Sequence, residues 1–323
     1  MTGAGAAAGS GAMAPSLAAR PVLLHVGLHK CASTWLQRRV FHDPTLGFAA
    51  PWGPQAHTAV TSFVTVDPIA FDPIETRARL ERALPEATGG MPVFSHEALS
   101  SRPHHGLFYA PQVAERLKAV FPEGRLLIVL REQRRLIFSL YGEHVRNGGR
   151  CTMREFIGTG DEAEGWDHLC RLPFFEFDRL VGMYRDVFGA DRVLALPLEM
   201  LPADPEGFVT RLYTFADLER REVGTETRDN TGWGAVTIEL VRRLNGLVRA
   251  NPLGADRGWA YTYSRKAVAR IDRLMPRRWH RGLEQRQRAM IDARLGTMFE
   301  DSNRRLAEMI GLDLAPYGYY PAA

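Results

Sequence analysis

The chain is short of cysteine: Cys31, Cys151 and Cys170 are the only three in 323 residues. Their spacing is irregular, which excludes a disulfide framework and any Cys-x-x-Cys pair, and a reducing compartment fits. Clustered metal ligands are lacking too. The ten histidines form no His-Glu-x-x-His pattern, and the adjacent His104 and His105 cannot easily face one ion, so no catalytic metal is expected. No stretch approaches the roughly 18 uninterrupted apolar residues that a membrane span needs. Dense Lys/Arg tracts are missing and the net charge of +4 is mild, which argues against a nucleic-acid partner while permitting an anionic ligand. Met1 to Arg20 is mostly Gly, Ala and Ser. It lacks the basic start and compact apolar core of a secretory signal and reads as a disordered tail. These absences point to a soluble, cytoplasmic protein.

What is present begins with Val22 to Gln37. A short apolar run, Val22 to Val26, leads through Gly27 to His29-Lys30-Cys31-Ala32-Ser33-Thr34 and then to an apolar-periodic segment starting at Trp35. That order reads as strand, tight loop, helix. Such a turn aims backbone N–H groups and the positive end of a helix at one spot, and Lys30 adds a full charge, which suits a sulfate or phosphate group. The common phosphate loop places its lysine directly before the Ser/Thr pair, and here Lys30 stands three places too early for that order. Within the loop, Cys31 reads as a small space-filling residue.

Two further stretches end like strands of an open parallel sheet. Met91 to Ser95 is followed by His96 and Glu97, and the five apolar residues Leu126 to Leu130 are followed by Arg131. A continuous apolar run of this kind suits a strand buried on both faces. Helical patterns at Pro73 to Ala83, Pro111 to Val120, Glu132 to Tyr141, Phe174 to Phe188 and Pro205 to Phe215 alternate with these runs and with a strand at Asp191 to Leu196. Phe41 to Asp72, dense in Pro, Gly and aromatic residues, reads as a long surface connection with short elements. The alternation predicts an α/β three-layer sandwich with a central parallel sheet of about four or five strands flanked by helices.

The Lys30 loop resembles that of the sulfotransferases that use 3′-phosphoadenosine-5′-phosphosulfate (PAPS), Lys-x-x-Ser/Thr-Thr followed by an aromatic or small residue and Leu: Lys30, Ser33, Thr34, Trp35 and Leu36 match it. Arg131 at a strand end, Ser139 eight residues on and the nearby Tyr141 resemble the 3′-phosphate signature of the same family. The resemblance implies that His29, Lys30, Cys31, Ala32, Ser33, Thr34 and Trp35 hold the 5′-phosphosulfate, and that Arg131 and Ser139 hold the 3′-phosphate. Arg228 is a further candidate for the nucleotide site, although the Arg-Lys-Gly loop of the cytosolic enzymes is missing around it. The family carries its catalytic base near the end of the second strand, a histidine in cytosolic enzymes and a glutamate in many carbohydrate-directed ones. Ser95-His96-Glu97 looks like the latter, so Glu97 is the preferred base, with His96 and His29 as alternatives and Lys30 as the catalytic cation. Glu97 could instead open the next helix.

The expected domain runs from Pro21 to Ala323, with 231–287, which does not align, as a helical insertion on the acceptor side. The expected activity is in-line transfer of a sulfuryl group from PAPS to a hydroxyl or amine of a small-molecule or glycan acceptor, with carbohydrate leading and a lipid-linked or phenolic metabolite as the alternative. A P-loop-type kinase and a catalytically silent nucleotide-binding module are the competing classes.

Overall fold

Five short strands make one parallel sheet in the order β2-β3-β1-β4-β5: β1 (Leu23–His25), β2 (Phe48–Ala49), β3 (Met91–Ser95), β4 (Arg125–Leu130) and β5 (Val193–Pro197). The computed structural model describes residues 16–53, 55–84, 90–163, 168–224, 233–247, 268, 270, 272 and 275–320. Leu126 to Leu130 are all buried. Successive strand residues point to opposite faces, so burial of five in a row requires cover on both. This is the expected three-layer α/β sandwich.

The helices that provide the cover follow from local chemistry; the short α1 (Ser33–Trp35), α5 (Met153–Ile157) and α7 (Met200–Ala203) lie between the longer ones in the chain. Asp72 caps α2 (Pro73–Arg82), accepting from the N–H groups of Ile74 and Glu75, and Pro at its first position suits a helix start. α3 (Ala110–Val120) and α6 (Phe177–Phe188) pack against one another, and α6 also contacts β4 and β5. The buried carboxylate of Glu132 accepts from Arg134 and Arg135 N–H and so starts α4 (Gln133–Arg146) directly behind β4. α8 (Pro205–Ala216) lies against β5, and α11 (Glu300–Ile310) against α6. α9 (Ala235–Leu247) and α10 (Arg277–Leu295) pack on each other and on α4.

Two details differ from the pattern in the sequence. Phe41 to Asp72 contributes the edge strand β2 as well as short turns of helix; Phe48 is buried between the rings of Phe41 and Tyr213. A two-residue strand has no alternation to reveal it. Of the expected N-terminal tail, residues 16–20 are described, and they form a turn. Leu17 is buried there because its apolar side chain joins the core, while its N–H and the Ser16 hydroxyl both donate to Glu81 Oε1.

β1 lies between β3 and β4, and the chain passes from one side of it to the other between those two strands. That is a topological switch point, where open α/β sheets bind ligands beyond the carboxyl ends of their strands. His25 is opposite Ser95 on one side and Leu127 on the other. The residues following β1, β3 and β4 therefore emerge side by side, on strands about 4.8 Å apart.

Candidate functional site

The loop after β1 is shaped by small residues and two left-handed turns. A Cβ on Gly27 would lie 2.6 Å from Ser33 Oγ and 3.0 Å from the His25 ring, so glycine lets the loop fold back on the strand. Lys30 (φ 70°) and Ala32 (φ 57°) are left-handed, a conformation that costs energy in residues with a Cβ and gathers at functional sites. Cys31 is buried, its thiol pushed up by burial far from thiolate formation, in keeping with a filler rather than a nucleophile. Trp35 is pinned by its indole N–H, which donates to the Gly224 carbonyl at 3.3 Å. Ser33 Oγ is buried and has no hydrogen-bond partner among the described residues.

Arg131 emerges from β4 next to this loop and donates from Nη1 to the Lys30 carbonyl at 3.2 Å. Among the described residues it makes no ion pair, so its charge is available to an anion. From one to four turns further, the half-buried stripe of α4 carries Arg135, Phe138, Ser139, Gly142, Glu143 and Arg146 toward one cavity, the spacing expected of a single helix face. Lys30 Nζ lies 3.6 Å from Glu143 Oε2. Burial lowers the lysine's pKa, Glu143 pulls it back up, and Arg146 and Arg131 press it down. Tyr141 borders the cavity but its side chain is almost wholly buried.

After β3 the chain makes a tight helical turn, Glu97–Ser100. His96 caps it: His96 Nδ1 accepts the Ala98 N–H at 3.0 Å, and the residue does not line the cavity. Glu97 does. Its Oε1 accepts from Gln55 Nε2 at 2.8 Å, while Oε2 is buried without a partner among the described residues. Burial alone would raise this carboxyl, but its own backbone N–H, His96, His29 and Gln55 together hold it below the ordinary range. His29 also lines the cavity; desolvation brings its pKa to about 4 against the pull of Glu97 and Glu143. Both Glu97 as a carboxylate and His29 as a neutral imidazole can therefore accept a proton near pH 7.

The cavity that collects these groups has a volume of about 810 Å³, the size of a nucleotide or drug-sized ligand site. The loop residues His29 to Trp35 together with Glu97, Arg131 and Ser139 form one side, and Trp233, Ala235, Ile238, Glu284, Gln287 and Arg288 the other. No family model and no curated protein matches the chain. Among solved structures, a sulfotransferase from Alicyclobacillus acidocaldarius aligns over 93% of this chain and 99% of its own, with TM-score 0.55 and 17% sequence identity. The chain has the sulfotransferase fold. Sulfotransferase domains from the Synechococcus PCC 7002 olefin synthase and from the curacin biosynthetic pathway also align. Each is covered over 77% of this chain and, respectively, 94% and 98% of its own, at 14% and 11% identity and TM-scores of 0.35 and 0.39.

Within this sulfotransferase fold, the residues named from the sequence fall into three groups. His29 to Trp35, Glu97, Arg131 and Ser139 share the cavity, His96 lies behind it, and Arg228 falls outside the described residues. Arg135, Glu143, Arg146 and Arg288 were not singled out. The first three were open to detection, because they repeat at helical spacing with Ser139; Arg288 is distant in sequence and its place depends on how α10 packs. No group of three side chains suited to a metal ion occurs among the described residues, and no described helix is long and apolar enough to cross a membrane.

Proposed function

We propose that this chain is a PAPS-dependent sulfotransferase, moving a sulfuryl group to a hydroxyl or amine of a small-molecule or glycan acceptor. The observation that carries this reading is convergence: the Lys30 loop, Arg131 and Ser139, about 100 residues apart in sequence, open on the same cavity with Glu97. The Ser33 hydroxyl, which has no partner among the described residues, and Arg131, which makes no ion pair among them, fit a polyanionic ligand, since a guanidinium fork and hydroxyl donors are what phosphate and sulfate oxygens require.

PAPS supplies a sulfuryl group on a phosphate leaving group. Lys30 and the loop N–H groups hold the 5′ end and offset the charge that grows on the leaving oxygen, while Arg131 and Ser139 hold the 3′-phosphate. Glu97 takes the proton from the acceptor, with His29 beside it as the alternative base. The acceptor oxygen or nitrogen bonds to sulfur as the sulfur–oxygen bond to the phosphate breaks, and that electron pair stays on the departing phosphate. Positioning and charge stabilisation carry the reaction, as in phosphoryl transfer. The wall made by α9 and α10 serves the acceptor, and the reading places the work in the cytoplasm.

The test is transfer of labelled sulfate from PAPS to a panel of acceptors by the wild type and Lys30→Ala. Loss of one electrostatic donor of this kind typically lowers kcat by about 10²- to 10³-fold. Unchanged turnover in Lys30→Ala removes the mechanism, and binding of 3′-phosphoadenosine 5′-phosphate without transfer to any acceptor replaces the enzyme with a silent nucleotide-binding module.

A further inference from the structure

Of the carboxylates lining the cavity that the proposed reaction leaves unused, Glu143 is the one that pairs with its lysine. Glu143 stands on α4 one turn beyond Ser139, and its charge and that of Glu97 both reach His29. Glu143 Oε2 lies 3.6 Å from Lys30 Nζ and 3.4 Å from Arg146 Nη1, and Oε1 accepts from Asn147 Nδ2 at 3.1 Å. Charge-assisted hydrogen bonds close to about 2.7–2.9 Å. Both contacts of Oε2 are longer, so a closer donor can still dock on it. Glu97 Oε2, also bordering the cavity, has no partner among the described residues. The end of the cavity around His29 thus offers one carboxylate oxygen without a partner among the described residues and a second held only by long contacts, whereas Arg131, Arg135 and Arg288, together with Glu199 and Glu284, border the remainder.

A carboxylate here opposes the donor. It occupies the lysine that the donor needs, and a donor charge bound within about 5 Å of it would, at an effective dielectric near 20, be repelled strongly enough to weaken binding at least about tenfold. A site that served the nucleotide alone would be better without it. Its value has to come from the other substrate.

We propose that Glu143 is an acceptor-binding carboxylate, masked by Lys30 until the sulfuryl donor draws the lysine away, and that it selects acceptors carrying an ammonium group beside the position that is sulfated. The inference rests on the sulfotransferase reading above. Burial would raise the Glu143 carboxyl, but Lys30, Arg146 and Asn147 hold it below the usual range, so it is charged at neutral pH, as an ammonium partner requires. Departure of Lys30 removes one cation from Glu143, and an acceptor ammonium restores it. Binding is then ordered, donor before acceptor.

Two measurements test this. Calorimetric titration with 3′-phosphoadenosine 5′-phosphate should show about tenfold tighter binding to Glu143→Gln than to the wild type; equal or weaker binding overturns the masking. Initial rates with PAPS are then compared for matched acceptors, glucosamine against glucose and tyramine against 4-propylphenol. The wild type should favour the amine of a pair at least tenfold in kcat/KM, Glu143→Gln should reduce that preference below threefold, and Glu143→Asp should keep part of it. Equal use of both members by the wild type, or no turnover of either amine by a protein that binds the nucleotide, overturns the selectivity. Failure of the wild type to bind the nucleotide at all rejects the sulfotransferase reading itself.

Discussion

The two walls of the cavity are built in different ways. One comes from strand ends: the Lys30 loop, Glu97 and Arg131 leave β1, β3 and β4 side by side, and the strands beneath them are buried on both faces. The other comes from α9 and α10, which dock on α4 through the buried Ile238, Val241, Ile291 and Leu295 and carry solvated pairs on their outer surface. Arg134 meets Asp292 at 3.2 Å, Arg288 meets Glu284 at 2.8 Å, and the Arg288 guanidinium lies 4.4 Å from the centre of the Phe138 ring. The strand wall gets its geometry from a sheet whose register allows little slippage. The helical wall is docked by side chains rather than by a hydrogen-bonded ladder, and the ion pairs at its surface are worth little individually and are screened by salt. On the proposed reading, chemistry that needs fixed atoms belongs on the first wall and the acceptor on the second.

The sharpest way to break this contrast is Glu97→Gln. On the proposed mechanism this removes the base, which typically costs about 10²- to 10⁴-fold in rate, and donor affinity should stay within a few-fold. A fall of less than tenfold in kcat would transfer the role to His29. Because Glu97 is held below the usual carboxylate range, the acid limb of the wild-type rate profile should lie below pH 4.5, and the rate should not fall between pH 8 and pH 6 on account of this group.

The strand wall also rests on a buried polar group that solvent should not reach. His25 in β1 is wholly buried, with Nδ1 2.7 Å from Ser95 Oγ, which also accepts from Gln37 Nε2 at 3.0 Å. Desolvation, against a smaller opposing pull from Glu97, lowers its pKa from 6.5 to about 4. Below pH 6.5 the unfolded chain binds a proton that the folded chain refuses until about pH 4, so the stability His25 contributes is complete above 6.5 and is lost as pH falls through 4. Over that window the loss is about 3 kcal/mol. Chemical unfolding at pH 7 and pH 4 should show a smaller difference for His25→Asn than for the wild type. An unchanged difference would mean that water reaches the ring and that the strand wall is less dry than its burial implies.

Legibility divides along the same line. Lys30, Arg131 and Glu97 could be read because strand, loop and helix signals are local: an apolar run, then Gly27 or a polar break, then helical spacing. What brings them together, the order β3-β1-β4, is a long-range property that local patterns carry only through the general logic of parallel sheets. His96 and Glu97 were adjacent candidates, and only the backbone decides between them, because His96 Nδ1 is spent on the Ala98 N–H. Glu143 was missed although it shares a helix face with Ser139, because a glutamate near a helix end reads as a solvated charge until its distance from Lys30 is known. α9 falls in the expected helical insertion, but its docking depends on Asn245 Nδ2 donating to the carbonyls of Val145 and Gly149, both at 2.8 Å. No local pattern encodes such a contact.

A paired substitution measures the two walls directly. Arg131→Ala removes a charged donor from the strand wall and should weaken binding of 3′-phosphoadenosine 5′-phosphate by about 10- to 100-fold, the usual cost of losing hydrogen bonds to a charged group. Arg288→Ala removes a partly exposed guanidinium whose contacts are a ring face and a carboxylate one turn away. An exposed cation–π contact and a surface ion pair each contribute about 1 kcal/mol or less. Its effect on nucleotide affinity should therefore stay within about fivefold and shrink further as salt is raised. If calorimetry instead gives Arg288→Ala a loss equal to that of Arg131→Ala, α10 supplies a ligand to the nucleotide. The division between a rigid donor wall and an adaptable acceptor wall then fails, because the donor would bridge both.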